Sequence, residues 1–99
     1  MKDLSEIKRL LEAEKPYLAE EYGVVGIGVF GSYVREEQGK DSDLDILIEL
    51  EQPPRIDLFD LVRLQDYLSD LLGVEVDVAL KGSLRKRIGR RILEEVVPI

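Results

Sequence analysis

The chain has 99 residues, of which 44% are hydrophobic and 35% charged, and we expect a single globular domain over residues 1–99. It contains no cysteine and no histidine, which excludes disulfides, the usual zinc centres and nucleophilic catalysis by a Cys–His or Ser–His pair. The net charge of −7 is unevenly spread: residues 1–80 carry 8 basic and 19 acidic side chains, whereas residues 81–93 carry 6 basic ones and no acid. An acidic body binds nucleic acid poorly, so we expect no direct nucleic-acid partner.

The first third of the chain alternates helical and extended patterns. Apolar residues at helical spacing predict an amphipathic helix over residues 4–13, which Pro16 is expected to break or restart before a stop at Gly23. The apolar, β-branched run 24–30 predicts a buried strand, and a short helix is expected over residues 31–37. No signal peptide and no run long enough to span a bilayer is apparent, so we expect a cytoplasmic protein without membrane contact.

The rest of the chain predicts two more strands and two more helices. They follow a loop at 39–41, and they comprise a strand over 43–50, a helix over 56–72, a strand over 74–80 and a last helix over 84–96 with Ser83 as its N-cap. The order α-β-α-β-α-β-α predicts an α/β (α+β) fold, a small mixed β-sheet with helices packed on it.

Paired carboxylates on the second predicted strand are the main candidate site. Asp43 and Asp45 are two residues apart, so their side chains leave the same face of the strand with Cα atoms roughly 7 Å apart. Carboxylates so placed can bracket two hard cations about 4 Å apart, and ligands that are all oxygen favour Mg²⁺ or Mn²⁺. Asp77, on the third predicted strand, adds a third carboxylate if that strand lies beside the second.

Gly31 and Ser32 form a candidate phosphate-binding turn between a strand and a predicted helix. A glycine there lets the backbone approach a phosphate, and Ser32 adds a hydroxyl at a helix N-terminus, where the potential is positive. Arg35, one turn later, either neutralises a phosphate oxygen or forms a surface ion pair.

Simpler readings exist for each element of this pattern. Asp-x-Asp alone usually marks solvated acids, and Asp77 alone can be an ordinary outward-facing acid. The glycines of 26–31 match a dinucleotide-binding fingerprint by letter, but they lie within a strand instead of after it, and the chain lacks a P-loop motif. The basic run 84–91 is either a solvated helix face or a surface that meets a partner or a ligand.

The combined pattern resembles a known family. Gly31-Ser32, ten residues and then Asp43-Leu44-Asp45 are similar to the signature of the DNA-polymerase-β-like nucleotidyltransferase superfamily, and most closely to the minimal nucleotidyltransferases, which are paired with HEPN-domain proteins in toxin–antitoxin modules. The resemblance extends to Val74–Val78 and to the last predicted helix. It departs from the family pattern at Glu36, where glycine is common.

The resemblance implies a reaction and a role for each residue. Gly31 and Ser32 would contact the nucleotide phosphates, where Arg35 is also a candidate from its position in the turn. Asp43 and Asp45 would bind two Mg²⁺ ions, and Asp77 would complete the metal site and help to activate the attacking hydroxyl. The implied reaction is transfer of AMP from ATP to a tyrosine of a HEPN toxin, which the transfer silences. Two alternatives stay open: an antitoxin that acts by stable association alone, and nucleotidyl transfer to a small molecule. The chain has no room for an acceptor domain, so the acceptor must come from a partner or a second copy.

Overall fold

A computed structural model describes residues 3–37, 39, 43–83 and 86–99. Within these residues a four-stranded sheet and three α-helices form the fold, which confirms the predicted class. In chain order the elements are α1 Leu4–Tyr22, β1 Val24–Phe30, β2 Leu44–Leu50, α2 Leu58–Leu72, β3 Val76–Leu80, α3 Lys86–Glu95 and β4 Val97–Pro98, with short 3₁₀ turns at Gly31–Tyr33 and Lys81–Ser83.

The sheet has the order β3-β2-β1-β4. β1 runs antiparallel to both β2 and β4, whereas β2 and β3 are parallel. Parallel neighbours need a long crossover, and α2 supplies it between β2 and β3. The crossover brings the start of β3 beside the start of β2, with Asp77 opposite Asp45.

The core lies between one face of the sheet and the helices α1 and α2. Ile46 and Ile48 of β2 are fully buried there against apolar residues of both helices, including Leu11 and Leu68. Residues of a strand alternate between its two faces, so Asp45, Leu47 and Glu49 point to the opposite face. That second face is the one on which the predicted catalytic acids lie.

The helix α1 continues through Pro16 to Tyr22, so the predicted break after residue 13 is wrong. Pro16 is exposed, and the buried residues Leu11 and Leu18 anchor the helix on either side of it. Burial of these side chains outweighs the loss of one backbone hydrogen bond on the solvent side. The helix ends where predicted, at Gly23, whose φ of 70° suits a left-handed cap and whose N–H donates to the Ala19 carbonyl.

Other boundaries differ from the predicted ones by one or two residues. The helix α2 begins at Leu58 because Asp57 and Asp60 form a reciprocal capping box at its start, and β3 begins at Val76 instead of residue 74. The predicted start of the last helix at Leu84 and most of the predicted loop at 39–41 lie outside the described residues. Ser83 is the last residue of a 3₁₀ turn, and its predicted cap role depends on residues 84 and 85, which also lie outside them.

The predicted helix over 31–37 is instead a 3₁₀ turn at Gly31–Tyr33 followed by a further turn. Glu36 has a φ of 58°, and a right-handed helix cannot pass through a residue in that conformation. Glycine adopts such a positive φ without strain, whereas a glutamate does so rarely. The Glu36 side chain is exposed to solvent.

The strand β4 was not predicted. It has only two residues, one of them Pro98, and it pairs with Gly28 and Val29 at the edge of the sheet, where a proline is tolerated. Among the described residues, none of the helices is long and apolar enough to cross a membrane.

The outer edge of β3 is covered by side chains of α2. The N–H of Val76 donates to the Ser69 hydroxyl and the N–H of Val78 to the Gln65 amide oxygen, each at 3.0 Å. The backbone groups of successive residues in a strand point to alternate sides. The carbonyl of Glu75 points towards β2, where it accepts from the N–H of Leu44, so the N–H groups of Val76 and Val78 point away from β2. The side chains therefore occupy donors that an edge strand would otherwise present to another chain.

The junction of α3 and β4 packs tightly on Gly28 of β1. A Cβ atom at position 28 would lie 2.4 Å from Cγ2 of Val96, so no side chain fits there without a shift. We expect Gly28→Ala to lower the free energy of unfolding by about 1–3 kcal/mol, as other overpacked buried sites do. Chemical denaturation measures this change.

Two further variants test the cause of that loss. Val96→Ala removes the opposing methyl, so adding it to Gly28→Ala should restore part of the stability, whereas Gly82→Ala should be nearly neutral because a Cβ at position 82 meets no atom within 4 Å. Simple additivity of the Gly28 and Val96 substitutions would contradict the packing explanation.

Candidate active site

Three neighbouring strands bring most of the predicted site together on the face of the sheet opposite the core. β1 ends at Phe30, which lies opposite Asp45 of β2, and Asp45 lies opposite Asp77 of β3. The turn that starts at Gly31 therefore follows directly beside Asp45. The antiparallel pairing of β1 with β2 and the parallel pairing of β2 with β3 are both needed for this arrangement.

Gly31 makes the closest backbone approach in the site. It is buried, its φ is 82°, and a Cβ placed on it would lie 2.1 Å from Oδ2 of Asp45. The position therefore needs glycine both for its conformation and for space. The sequence predicted that a phosphate approaches this backbone; in the structure the group against it is the Asp45 carboxylate.

Asp45 is half-buried and is surrounded by other acids. Burial raises the pKa of its carboxyl above the usual value, and the negative charges of Asp77 and Asp43 raise it further. The positive charge of Arg35 lowers the pKa of Asp45, and the negative charge of Glu95 raises it by a smaller amount. Perturbation by both burial and neighbouring charge is common for groups at functional sites.

Asp43 and Asp77 flank Asp45 from different sides. Asp43 lies just before β2 and Asp77 lies in β3, and both are exposed. The structure thus brings the three predicted acids close enough for their charges to interact. Among the described residues, however, no group of three or more acidic side chains is arranged so that it could hold a metal ion.

The chemistry of these donors nevertheless suits a hard cation. All three are carboxylates, which Mg²⁺ and Mn²⁺ prefer, and a cation between them would offset the repulsion that raises the pKa of Asp45. Binding of two ions by Asp43, Asp45 and Asp77 stays a prediction.

Arg35 forms the ion pair that was one of its two predicted roles. Its guanidinium donates to Glu37 at 3.1 Å and to Oε1 of Glu95 at 2.6 Å. Ser32, in the turn, is partly buried, and its backbone carbonyl accepts from the N–H of Glu37 at 2.9 Å. Both residues lie on the turn predicted to contact a nucleotide, and that contact is not tested by the structure.

Glu95 is the residue that sequence reasoning missed. It is the last residue of α3, and its Oε1 accepts a hydrogen bond from the N–H of Gly31 at 2.9 Å as well as from Arg35. One signal was available: a carboxylate in the last turn of a helix is opposed by the helix dipole, so its presence there needs another reason.

A groove of about 190 Å³ lies next to these residues, between the sheet and α3. Gly26 and Gly28 leave its floor free of side chains, Leu47 and Val96 supply apolar walls, and an ion pair of Lys81 with Glu49, at 3.5 Å, lies at the rim. Leu47 and Glu49 follow Asp45 on the same face of β2, so the groove and the acids share one surface.

Comparisons with known proteins agree with the geometry. A family model described as a nucleotidyltransferase domain matches residues 11–99. The protein adenylyltransferase MntA of Thermococcus cleftensis is 47% identical over 97 residues, which cover 98% of this chain and 96% of that protein. A relative from Methanocaldococcus jannaschii, for which the same activity is inferred, is 48% identical over 95 residues, covering 96% of this chain and 95% of the relative.

Solved structures give the same picture of the fold. A structure assigned as a minimal nucleotidyltransferase has a TM-score of 0.81 and 37% identity, covering 99% of this chain and 97% of that one. A toxin–antitoxin complex with AMP-PNP contains a chain with a TM-score of 0.70 and 22% identity, covering 95% of this chain and 69% of that one. At that level of identity the second likeness concerns the fold alone.

The raised pKa of Asp45 makes a prediction about stability. The folded protein holds the proton of this acid more tightly than the unfolded chain does, so the free energy of unfolding falls as the pH rises from below 3.8, the ordinary value, through the raised pKa. We expect Asp45→Asn to raise the thermal midpoint at pH 7 by a few degrees, and we expect this gain to disappear below about pH 3.8. Thermal unfolding of both proteins across this pH range measures it.

Asp66→Asn is the matched control, because Asp66 is an exposed acid of α2 and its replacement makes the same change in net charge. An equal gain in both variants would assign the effect to net charge and not to the site.

Proposed function

The chain belongs to the nucleotidyltransferase domain family, and from this membership we propose that it transfers AMP from ATP to a protein hydroxyl. One observation carries the proposal: Asp45 lies in register between the end of β1, which leads into the Gly31 turn, and Asp77, so the turn predicted to bind phosphate and the carboxylates are neighbours in the sheet. Phosphoryl and nucleotidyl transfer depend mainly on positioning and on neutralising charge, and this surface offers groups for both tasks.

Each group of residues at the site has a separate role in the proposed reaction. The turn at Gly31 and Ser32, with Arg35, binds the triphosphate, and the adjacent groove over Gly26 and Gly28 takes the nucleoside. Asp43 and Asp45, completed by Asp77, would hold Mg²⁺, which would neutralise the triphosphate and polarise its α-phosphorus. Asp77 lies beside Asp45 and accepts the proton of the acceptor hydroxyl.

The reaction is a displacement at phosphorus. The acceptor oxygen forms a bond to the α-phosphorus, the bond from that phosphorus to the bridging oxygen breaks, and pyrophosphate leaves with the negative charge. The product is an AMP ester of the acceptor. The groups named above would have to align the acceptor oxygen with the leaving pyrophosphate.

We propose that the acceptor is a tyrosine of a HEPN toxin and that the protein acts as the toxin's antitoxin in the cytoplasm. Several solved structures with this fold are complexes of such pairs, and in one of them the Shewanella oneidensis HEPN toxin carries three AMP groups in complex with its MNT antitoxin. The chain spans 69% of the length of the chain in the complex with AMP-PNP.

A second candidate function is neutralisation of the toxin by association alone. The contact of Glu95 with Gly31 and Arg35 favours it, because this contact occupies donors that a nucleotide would need. Transfer of a label separates the two functions.

A labelling experiment tests the proposal. The protein is incubated with the partner toxin, Mg²⁺ and ATP that is labelled at either the α- or the γ-phosphate. We expect label from the α position on the toxin and none from the γ position, measured after electrophoresis. Label from the γ position would mean a kinase. A tight complex without any transfer would favour association alone.

Asp43→Asn and Asp45→Asn test the assignment of the acids. Each is expected to lower the rate of transfer by at least about a hundredfold, since each removes a negative ligand of the Mg²⁺ that would neutralise the triphosphate. Asp66→Asn, with the same change of charge outside the site, should keep the normal rate. Near-normal transfer by either site variant would refute the assignment, and thermal unfolding shows that the fold survives.

A further inference from the structure

Glu95 links the end of the chain to the turn at the centre of the site. It is 64 residues from Gly31 in sequence, and its Oε1 accepts from the Gly31 N–H at 2.9 Å and from Nη1 of Arg35 at 2.6 Å. Only 22% of its side chain is exposed. A single carboxylate oxygen thus takes both a backbone donor and a guanidinium donor.

This pair of donors is suited to anions in general. A backbone N–H at a glycine turn together with an arginine guanidinium binds phosphate oxygens in many proteins, and it binds a carboxylate oxygen in the same way. Among the described residues, the Arg35 side chain forms ion pairs with Glu37 and Glu95. Arg35 also lowers the pKa of Asp45, whereas the negative charges of Asp77, Asp43 and Glu95 raise it.

We propose that Glu95 is an internal anion that occupies the phosphate position, and that a nucleotide must displace its carboxylate to bind. The inference rests on the proposed function, because it assigns the Gly31 turn to the nucleotide's phosphates. Glu95 is therefore a specificity-determining residue: it admits only anions that compete well for the Gly31 N–H and Arg35, such as a triphosphate.

Displacement requires movement of a side chain and leaves the backbone in place. The backbone around Glu95 is held on both sides, since the N–H of Val96 donates to the Ile92 carbonyl and Val97 pairs with Val29 of β1. Val96 is also seated against Gly28. Rotation of the Glu95 side chain alone is enough to release both donors.

Nucleotide binding by Glu95→Gln tests the proposal. Glutamine keeps an oxygen that can accept from the Gly31 N–H and removes the charge that holds Arg35. Since a hydrogen bond between charged groups is worth more than a neutral one, we expect the Kd for ATP with Mg²⁺ to fall by about tenfold in calorimetry. Glu94→Gln, with the same change in charge at the exposed neighbouring residue, should leave the Kd within about twofold.

A second ligand and a second variant show whether the change in Kd arises at the phosphates or at the nucleoside. Inorganic tripolyphosphate lacks the nucleoside, and its Kd should fall by a similar factor in Glu95→Gln. Glu95→Ala removes the acceptor completely and should tighten binding of both ligands at least as much. Thermal unfolding confirms that each variant is folded.

The outcomes are distinct. An unchanged Kd in Glu95→Gln would mean that the contact is only structural, and a raised Kd would mean that Glu95 helps to hold the nucleotide or its cation; either result overturns the inference. Absence of ATP binding by the unaltered protein would instead overturn the proposed function, whatever the variants do with tripolyphosphate.

Discussion

The position of one carboxylate, Asp45, governs the arrangement of this protein's functional surface. The strand that carries it is paired on both sides, with Phe30 opposite Asp45 in one neighbour and Asp77 opposite it in the other. Its side chain lies against the backbone of Gly31, where no larger residue fits. Burial and surrounding acids make the charged form of Asp45 costly, so the fold gives up some stability to keep it there.

Much of this arrangement could be predicted from the sequence because it depends on local patterns. The β-branched run before Gly31 and the alternation around Asp45 identify two strands, and the apolar stripe of α2 identifies the crossover that makes β2 and β3 parallel. From that topology the meeting of Asp45 and Asp77 follows directly. The family resemblance, carried by the same residues, agrees with the match over residues 11–99.

The features that the sequence did not reveal depend on contacts between distant residues or on a single backbone angle. The uninterrupted helix through Pro16 follows from burial on both sides of an exposed proline, which composition does not show. The turn after Gly31 ends at Glu36 because of its left-handed conformation. Glu95 reaches Gly31 only because the pairing of β4 with β1 returns the end of α3 to the site, and a two-residue strand has no periodicity to detect.

The cover that α2 places over β3 has a consequence for assembly. With the N–H of Val76 bonded to Ser69 and that of Val78 bonded to Gln65, the sheet cannot grow by addition of a strand along that edge without loss of those bonds. The same helix leaves Leu58, Phe59 and Val62 largely exposed. A strand added along the β3 edge would exchange existing hydrogen bonds for new ones and would gain no unpaired donors there, which disfavours open-ended stacking of sheets.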